Sequence, residues 1–352
     1  MTRLFEAKPY IIAEVGSNWT SFEHAKDSIS LAKQCGADAV KFQAFTYSAL
    51  YGSSMKEVVR ARIEATGRYN SDVVMALESK NIQDELDTAL PLDWLPKLKE
   101  KADACGIEFM CTAFSPELVK AVDPFVAVHK VASSDLSYPQ LLDAVAKTGK
   151  PIILSTGASS RGDIALALNA LGSAQDRTVL MYCSAAYPSR RHNPYLMREL
   201  REHFGRPVGF SDHSTDVIFA PLFAAREMGA VVIEKHFTAF PELDTPDRPH
   251  SLDADGFKCM VDYIRGKREG GLNPTSEEKP MFLRHNRRLV ATRDIPQGEM
   301  LQYGINYGAY RSLQDDDRGL SPFFWNHEKG PEAKRASHAI ARGKGIGPGD
   351  FA

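Results

Sequence analysis

Lys41 and Lys130 each lie inside an otherwise apolar run, and His213 and His236 each close one. A lysine within an apolar strand costs free energy to bury unless an anion meets it. Two of them on separate strands, with Thr112, Ser133, Ser134, Ser155, Thr156 and Ser211 at neighbouring run ends, have the makings of a phosphate or carboxylate site. Snorkelling to the surface is the ordinary fate of a lone lysine, but matching depth on two strands favours the anion site. Two imidazoles ending adjacent strands can reach one divalent ion and leave positions open for water or substrate. Asp212 and Glu234 stand beside them as candidates to orient the rings. Glu14, Gln43, Asp135, Ser184 and Tyr187 fall at the ends of other runs in the same pattern.

The elements that hold these residues repeat. Six times a helix-like stretch runs into a glycine (Gly36, Gly106, Gly149, Gly172, Gly205, Gly229) and then into a short apolar run with polar residues at its end. Glycine just past a helix accepts a left-handed backbone without steric cost. With YIIAEVG (10–16) and VAVHKVASS (126–134) the runs number eight, the others being 38–43, 108–112, 151–156, 178–184, 207–213 and 231–236. Helices are predicted over 23–36, 94–105, 115–124, 138–148, 161–171, 194–204, 217–228 and 255–268. Eight βα units predict a closed α/β barrel of the (β/α)8 TIM type, with the polar run ends gathered on one face. A doubly wound sheet is the alternative, since alternation alone does not prove closure. After the second strand, 46–93 is an insertion long enough to be a lid or binding loop.

Past residue 270 the rhythm stops. The barrel is assigned to 1–270, a linker to 271–284, and a small β-rich domain to 285–352, where RRLVATRDIPQGEML reads as strand, turn at 296–298 and strand. Lys plus Arg (43) nearly balances Asp plus Glu (45) in the 352 residues, so no global field points to nucleic acid or an anionic membrane. The first ten residues lack the apolar core of a secretory leader, and no apolar run approaches the roughly 20 residues of a membrane span. Five cysteines without CxxC spacing read as reduced and buried, so the expected compartment is the cytoplasm.

The strings AEVGSNW, AKQCGADAVKFQ, KVASSD, KPIILSTGAS, CSAAYP, GFSDHS, MGAVVIEKHFT and PDRPHSLD occur in that order. They resemble those of the N-acetylneuraminate (sialic acid) synthase family, which includes the legionaminic and pseudaminic acid synthases. RRLVATRDIPQGEM followed by RGLSP resembles that family's antifreeze-like (SAF) C-terminal domain. The resemblance implies a TIM-barrel transferase that condenses phosphoenolpyruvate with an open-chain N-acylhexosamine, giving a nine-carbon 2-keto-3-deoxy sugar acid and phosphate. It implies a divalent cation, commonly manganese, with magnesium or cobalt as alternatives. It also implies a homodimer in which the small domain of one subunit covers the partner's barrel.

Carried over residue by residue, the resemblance makes His213 and His236 metal ligands. Lys41, Thr112, Lys130, Ser133, Ser155 and Ser211 match positions that hold phosphoenolpyruvate. Gln43, Tyr187, Asp247 and Arg311 match the acceptor side, with Arg318 the second choice for the arginine. Glu14, Asp135 and His236 are the catalytic candidates; Asp135 stands where the family commonly has glutamate, and either it or Glu14 would move protons. A phosphate and a carboxylate in one small site explain why two lysines and several hydroxyls are needed. The chain departs from the family at Asn18-Trp19-Thr20-Ser21, at Ala185, and in the acidic insert Asp315–Asp317, all on the sugar side. These departures suggest a non-standard acceptor aldehyde. A further family lysine in 46–93 has only Lys56 and Lys80 as candidates. The competing readings are a phosphoenolpyruvate-condensing barrel acting on another aldose, and a sugar-binding homologue without turnover.

Overall fold

A computed structural model describes residues 9–46, 50, 90–190, 193–266, 286–311 and 319–352. Most of the predicted insertion 46–93, with Lys56 and Lys80, lies outside the described residues, as do the linker 271–284 and Arg318. The strands of the first unit are β1 (Tyr10–Gly16), β2 (Ala39–Ala44), β3 (Glu108–Ala113) and β4 (His129–Val131). They continue with β5 (Ile152–Ser155), β6 (Thr178–Cys183), β7 (Val208–Asp212) and β8 (Val232–His236). Each is followed by a helix: α1 (Phe22–Gln34), α2 (Leu95–Cys105), α3 (Pro116–Val122), α4 (Pro139–Lys147), α5 (Arg161–Leu171), α6 (Leu196–Phe204), α7 (Phe219–Arg226) and α8 (Ala254–Ile264). The strands are parallel in the order β3-β2-β1-β8-β7-β6-β5-β4, and β3 lies beside β4, so the sheet rolls into a (β/α)8 TIM barrel.

Local chemistry sets the helix limits. Ser21 and Ser115 accept backbone N–H groups at the starts of α1 and α3, Asp253 does so for α8, and Ser160 with Asp163 forms a capping box on α5. All six glycines that punctuate the sequence have positive φ. At Gly106, φ is 65°, and the N–H groups of Gly106 and Ile107 close the end of α2 on the Asp103 and Ala102 carbonyls. The predicted strand 126–134 is shorter than expected. The backbone of 132–136 folds on itself, Asp135 N to Ala132 O and Leu136 N to Ser133 O, so the serines leave the sheet in a 3-10 turn.

Alternation along the strands sorts the side chains into two sets. Ile11, Val15, Phe42, Phe109, Leu154 and Phe210 belong to the core that faces the helices. Tyr10, Ile12, Met110, Ile153, Met181 and Val232 form a separate apolar plug inside the barrel. One or two steps further toward the strand ends, the inward positions turn polar: Glu14, Lys41, Gln43, Thr112, Lys130, Ser155, Ser211, Glu234 and His236. Register fixes their heights, with Glu14 opposite Lys41 on one side and His236 on the other, and Ser211 opposite Glu234.

The second unit runs from Arg268 to Ala352. Leu289, Ile295, Leu301, Tyr307, Ile340 and Ile346 make its own apolar core. The predicted hairpin about 296–298 is corrected: β9 (Arg288–Ala291) pairs antiparallel with β10 (Tyr307–Tyr310), and no second strand directly follows the turn. Pro296 has no N–H to give a ladder. Ile295 instead exchanges bonds with Ile340, and Gly298 N and Glu299 O meet Ala336. No helix of the described residues is long and apolar enough to cross a membrane.

Candidate active site

Above the apolar plug lie four buried charges. Lys41 Nζ is 2.6 Å from Glu14 Oε2 and 3.7 Å from Glu234 Oε2, and it donates to Thr112 Oγ1 at 3.1 Å. Lys130 Nζ is 3.7 Å from Glu234 Oε1 and donates to Ser155 Oγ at 2.8 Å. Ser211 Oγ donates to Glu234 Oε1 at 3.0 Å. One carboxylate therefore lies between two lysines, with a hydroxyl serving each of the three. Burial acts on every member. It would raise the Glu234 pKa, but Lys130 and Lys41 outweigh it and hold that carboxylate low. It would lower Lys41, but Glu14 and Glu234 hold that ammonium above the ordinary range. Burial prevails at the other two, pushing Glu14 up and Lys130 down. Lys41 and Glu234 are thus firmly ionised, while Glu14 and Lys130 are drawn toward neutrality.

Beside this group Gly157 N donates to Ser133 Oγ at 3.0 Å, and Ser133 Oγ lies 3.1 Å from Cys183 Sγ. A Cβ on Gly157 would stand 2.7 Å from that sulfur and 2.9 Å from the Ser133 oxygen, so the close approach requires glycine. Burial lifts the Asp135 carboxyl to about 6 against the opposing effects of Ser134 and Lys130, which suits it to exchange a proton near neutral pH.

An aromatic layer continues upward. Tyr187 stacks on His213 with centroids 4.2 Å apart, and His236 lies 5.5 Å from His213 and 4.4 Å from His250 by the same measure. His213 Nδ1 is 2.7 Å from the Ser184 carbonyl, which can only accept, so Nδ1 carries the proton and Nε2 the lone pair. That Nε2 is 3.3 Å from Ser211 Oγ, whose proton is already directed at Glu234. Burial lowers the pKa of His213, and it lowers that of His236 to about 3, so both rings are neutral donors at pH 7. Asp247 closes the layer, its Oδ2 accepting from Ser17 N at 2.8 Å.

The structure gathers Glu14, Lys41, Gln43, Thr112, Lys130, Ser155, Ser211, His213 and His236 in the barrel mouth, with Ser133, Asp135, Tyr187 and Asp247 on the loops around it. Gln43 donates to Glu14 Oε1. Arg311 is exposed in the second unit. The proposed support of the rings by Asp212 and Glu234 is corrected. Asp212 points outward with Lys235, which it meets at 2.7 Å, because its place on β7 is one residue out of phase with Ser211. Glu234 serves the lysines. Trp19 packs against Trp94 and donates to the Gly16 carbonyl, so that departure is absorbed into the helix-facing core. Sequence reasoning missed His250, three residues beyond Asp247 in the loop after β8. Its only signal was the string PDRPHSLD, where a second histidine follows the strand that carries His236. Asn18 was also underrated: its amide donates to Phe237 O and Ser251 Oγ and accepts from Thr245, tying that loop to β1.

The profile of the NeuB family matches residues 28–270. Over 340 residues the chain is 30% identical to a pseudaminic acid synthase of Helicobacter pylori, covering 93% of this chain and 94% of that one. It is 31% identical to an N,N'-diacetyllegionaminic acid synthase of Legionella pneumophila over 308 residues, 83% of this chain and 82% of the other. The crystal structure of an N-acetylneuraminic acid synthetase from Leptospira borgpetersenii superposes with a TM-score of 0.61 at 26% identity, over 78% of this chain and 90% of that one.

Proposed function

We propose, from the premise that the chain belongs to the NeuB family, that it condenses phosphoenolpyruvate with an open-chain N-acylhexosamine-type aldehyde to give a 2-keto-3-deoxy nonulosonic acid and phosphate. It is a transferase of the synthase type. The observation that carries the substrate assignment is the pair of buried lysines flanking one glutamate, each with a hydroxyl partner, at the floor of a barrel mouth. A small ligand with a carboxylate at one end and a phosphate at the other can draw on both ammonium groups, and Ser133, Ser155 and Thr112 supply neutral donors. The anion also draws Lys130 back to its charged form, since a nearby negative charge raises a lysine pKa.

In the reaction, C3 of phosphoenolpyruvate bonds to the aldehyde carbon, whose oxygen becomes a hydroxyl. Water adds at C2 with loss of one proton, and the hydroxyl so formed passes its remaining proton to the departing phosphate as C2 becomes the keto carbon and its bond to the phosphate oxygen breaks. Asp135, with its raised pKa, accepts one proton of the incoming water, and Glu14, whose pKa burial raises, gives its proton to the aldehyde oxygen beside Lys41 and Gln43. The residues also fit a divalent cation. Neutral imidazoles at His213 and His236, with centroids 5.5 Å apart, offer a pair of nitrogen donors, and the His236 Nδ1 is buried without a hydrogen-bond partner. Such an ion supplies electrophilic activation of the acceptor carbonyl. By the sequence resemblance the ion is manganese, the small unit is an antifreeze-like domain, and the working form is a homodimer to which Arg311 contributes from the partner.

Mass spectrometry of the product from phosphoenolpyruvate, manganese and a panel of aldehydes tests this, with phosphate release measured in parallel. An N-acylhexosamine-type aldehyde is expected to yield a nine-carbon acid, and efficient turnover of plain N-acetylmannosamine, compared with its 6-deoxy-2,4-diacetamido analogues, would remove the reason to expect a non-standard acceptor. Turnover only with shorter aldoses, or sugar binding with no phosphate released, would replace the proposal with one of its competitors.

A further inference from the structure

His236, Asp247 and His250 each offer one ligand atom, and the three atoms lie within 4.8 Å of one another. Donors about 2.0–2.2 Å from one ion stand roughly 3–4.4 Å apart, so side-chain rotations that draw the three atoms together by up to about 1 Å would close the set. A hydrogen-bonded His-Asp-His relay is the competing account of the same residues. Its first link fails on distance: His236 Nδ1 is 4.0 Å from Asp247 Oδ2, too long for a hydrogen bond, while His250 Nε2, 3.5 Å from Oδ1, stands at the outer limit of one. Both nitrogens are buried without hydrogen-bond partners, a state that costs free energy until a ligand meets them.

The carboxylate is fixed in place. Ser17 N holds Oδ2, and Gly16, with φ of 55°, leaves the space it needs, since a Cβ there would stand 2.2 Å from that oxygen. Asn18 and Ser251 fasten the loop that carries both Asp247 and His250, with Ser251 Oγ donating to the Asp247 carbonyl at 2.7 Å. His236 is supplied by the last residue of β8.

We propose that Asp247 and His250 are protein ligands of a divalent cation together with His236, forming a two-histidine, one-carboxylate set built on β8 and the loop after it. This rests on the assignment of a cation to this site and changes what holds it: the loop, and not only two strand ends, selects and retains the ion. Two neutral imidazoles with one carboxylate leave coordination positions open; the imidazoles suit iron or zinc, and the carboxylate with water in the open positions admits manganese.

The test is manganese binding to the full chain, followed by electron paramagnetic resonance of the bound ion, with phosphoenolpyruvate-induced thermal stabilisation as the check that each variant is folded. His250→Ala and Asp247→Asn are expected to weaken manganese binding by tenfold or more while phosphoenolpyruvate still stabilises them. In His250→Gln, nitrogen modulation of the manganese signal should fall by one imidazole, a change that a merely positioning histidine would not cause. If wild type binds manganese and these variants match it in affinity and nitrogen coupling, the ligand set is wrong while the cation assignment stands. If wild type binds no divalent cation, both fall together, and phosphate release in a chelator then decides whether the condensation itself survives.

Discussion

Glu234→Gln separates charge from shape at the floor of the site. Gln keeps an acceptor for the Ser211 hydroxyl and removes the charge that faces both lysines. At an effective dielectric constant of about 20, one opposite charge at 3.7 Å is worth roughly 4–5 kcal/mol before desolvation is subtracted. Lys41 retains Glu14, so Lys130 bears the loss. Its cost is capped, because Lys130 can shed its proton for about 4–5 kcal/mol at pH 7, given the ordinary lysine pKa. A net destabilisation of about 3–5 kcal/mol follows, as for other broken buried pairs. For a chain of this size that lowers the melting temperature by on the order of 10 °C. The pH dependence has a defined sign. A lysine whose folded pKa lies below its unfolded value binds fewer protons when folded, so stability rises with pH up to the unfolded pKa. The deficit of the variant should therefore shrink between pH 7 and pH 9. Phosphoenolpyruvate restores the missing negative charge, so its thermal stabilisation should be larger in Glu234→Gln than in wild type. Melting curves at several pH values, with and without the anion, give both readouts. A variant as stable as wild type at pH 7, gaining no more from phosphoenolpyruvate, would refute the assignment of Glu234 as the lysines' counter-charge.

Asp135 titrates near pH 6, so kcat/KM should rise through that pH as the carboxylate forms and then level; Asp135→Asn should lower the rate by 100-fold or more and erase this limb. An unchanged limb in the variant assigns the proton elsewhere. Gly157→Ala drives a methyl into Ser133 and Cys183; a cost of about 1–3 kcal/mol in stability and at least tenfold weaker phosphoenolpyruvate binding are expected from denaturation and binding isotherms. Asp212→Asn leaves Lys235 buried without its carboxylate and should cost about 3–5 kcal/mol by chemical denaturation, with manganese affinity unchanged. A specific loss of manganese binding there would place Asp212 at the rings after all.

The strands and helices were legible because their signals are local: an apolar run of strand length, a capping serine, a glycine past the last turn. The inward face of the barrel was legible too, by counting alternate residues back from Glu14, Lys41, Ser211 and His236. Charge partners were harder. Asp212 and Glu234 both sit beside histidines in sequence, but a strand turns successive side chains to opposite faces, so Asp212 leaves the site and finds Lys235. Glu234 stays inside yet meets the lysines, because the barrel's curvature brings Lys41 and Lys130 across the interior to it. Neither contact is written in spacing along one strand. His250 escaped notice for a related reason: loop geometry, set here by Asn18 reaching Phe237, Thr245 and Ser251, decides which side chain returns to the mouth.

On the proposed function, the placement of these groups would let one barrel hold both an anion site and a cation site. Glu234 and His236 are two residues apart on one strand, which separates their levels by about 6.6 Å along the strand. Glu234 lies on the lower step and Glu14 and Lys41 share the register of His236, and these charges of both signs balance one another through their contacts. The imidazoles above are neutral, so they neither repel the lysines nor draw an incoming anion away from them. Were the histidines charged, the mouth would carry excess positive charge and favour anion binding at the wrong height. Burial, by keeping His213 and His236 neutral, is what separates the two tasks.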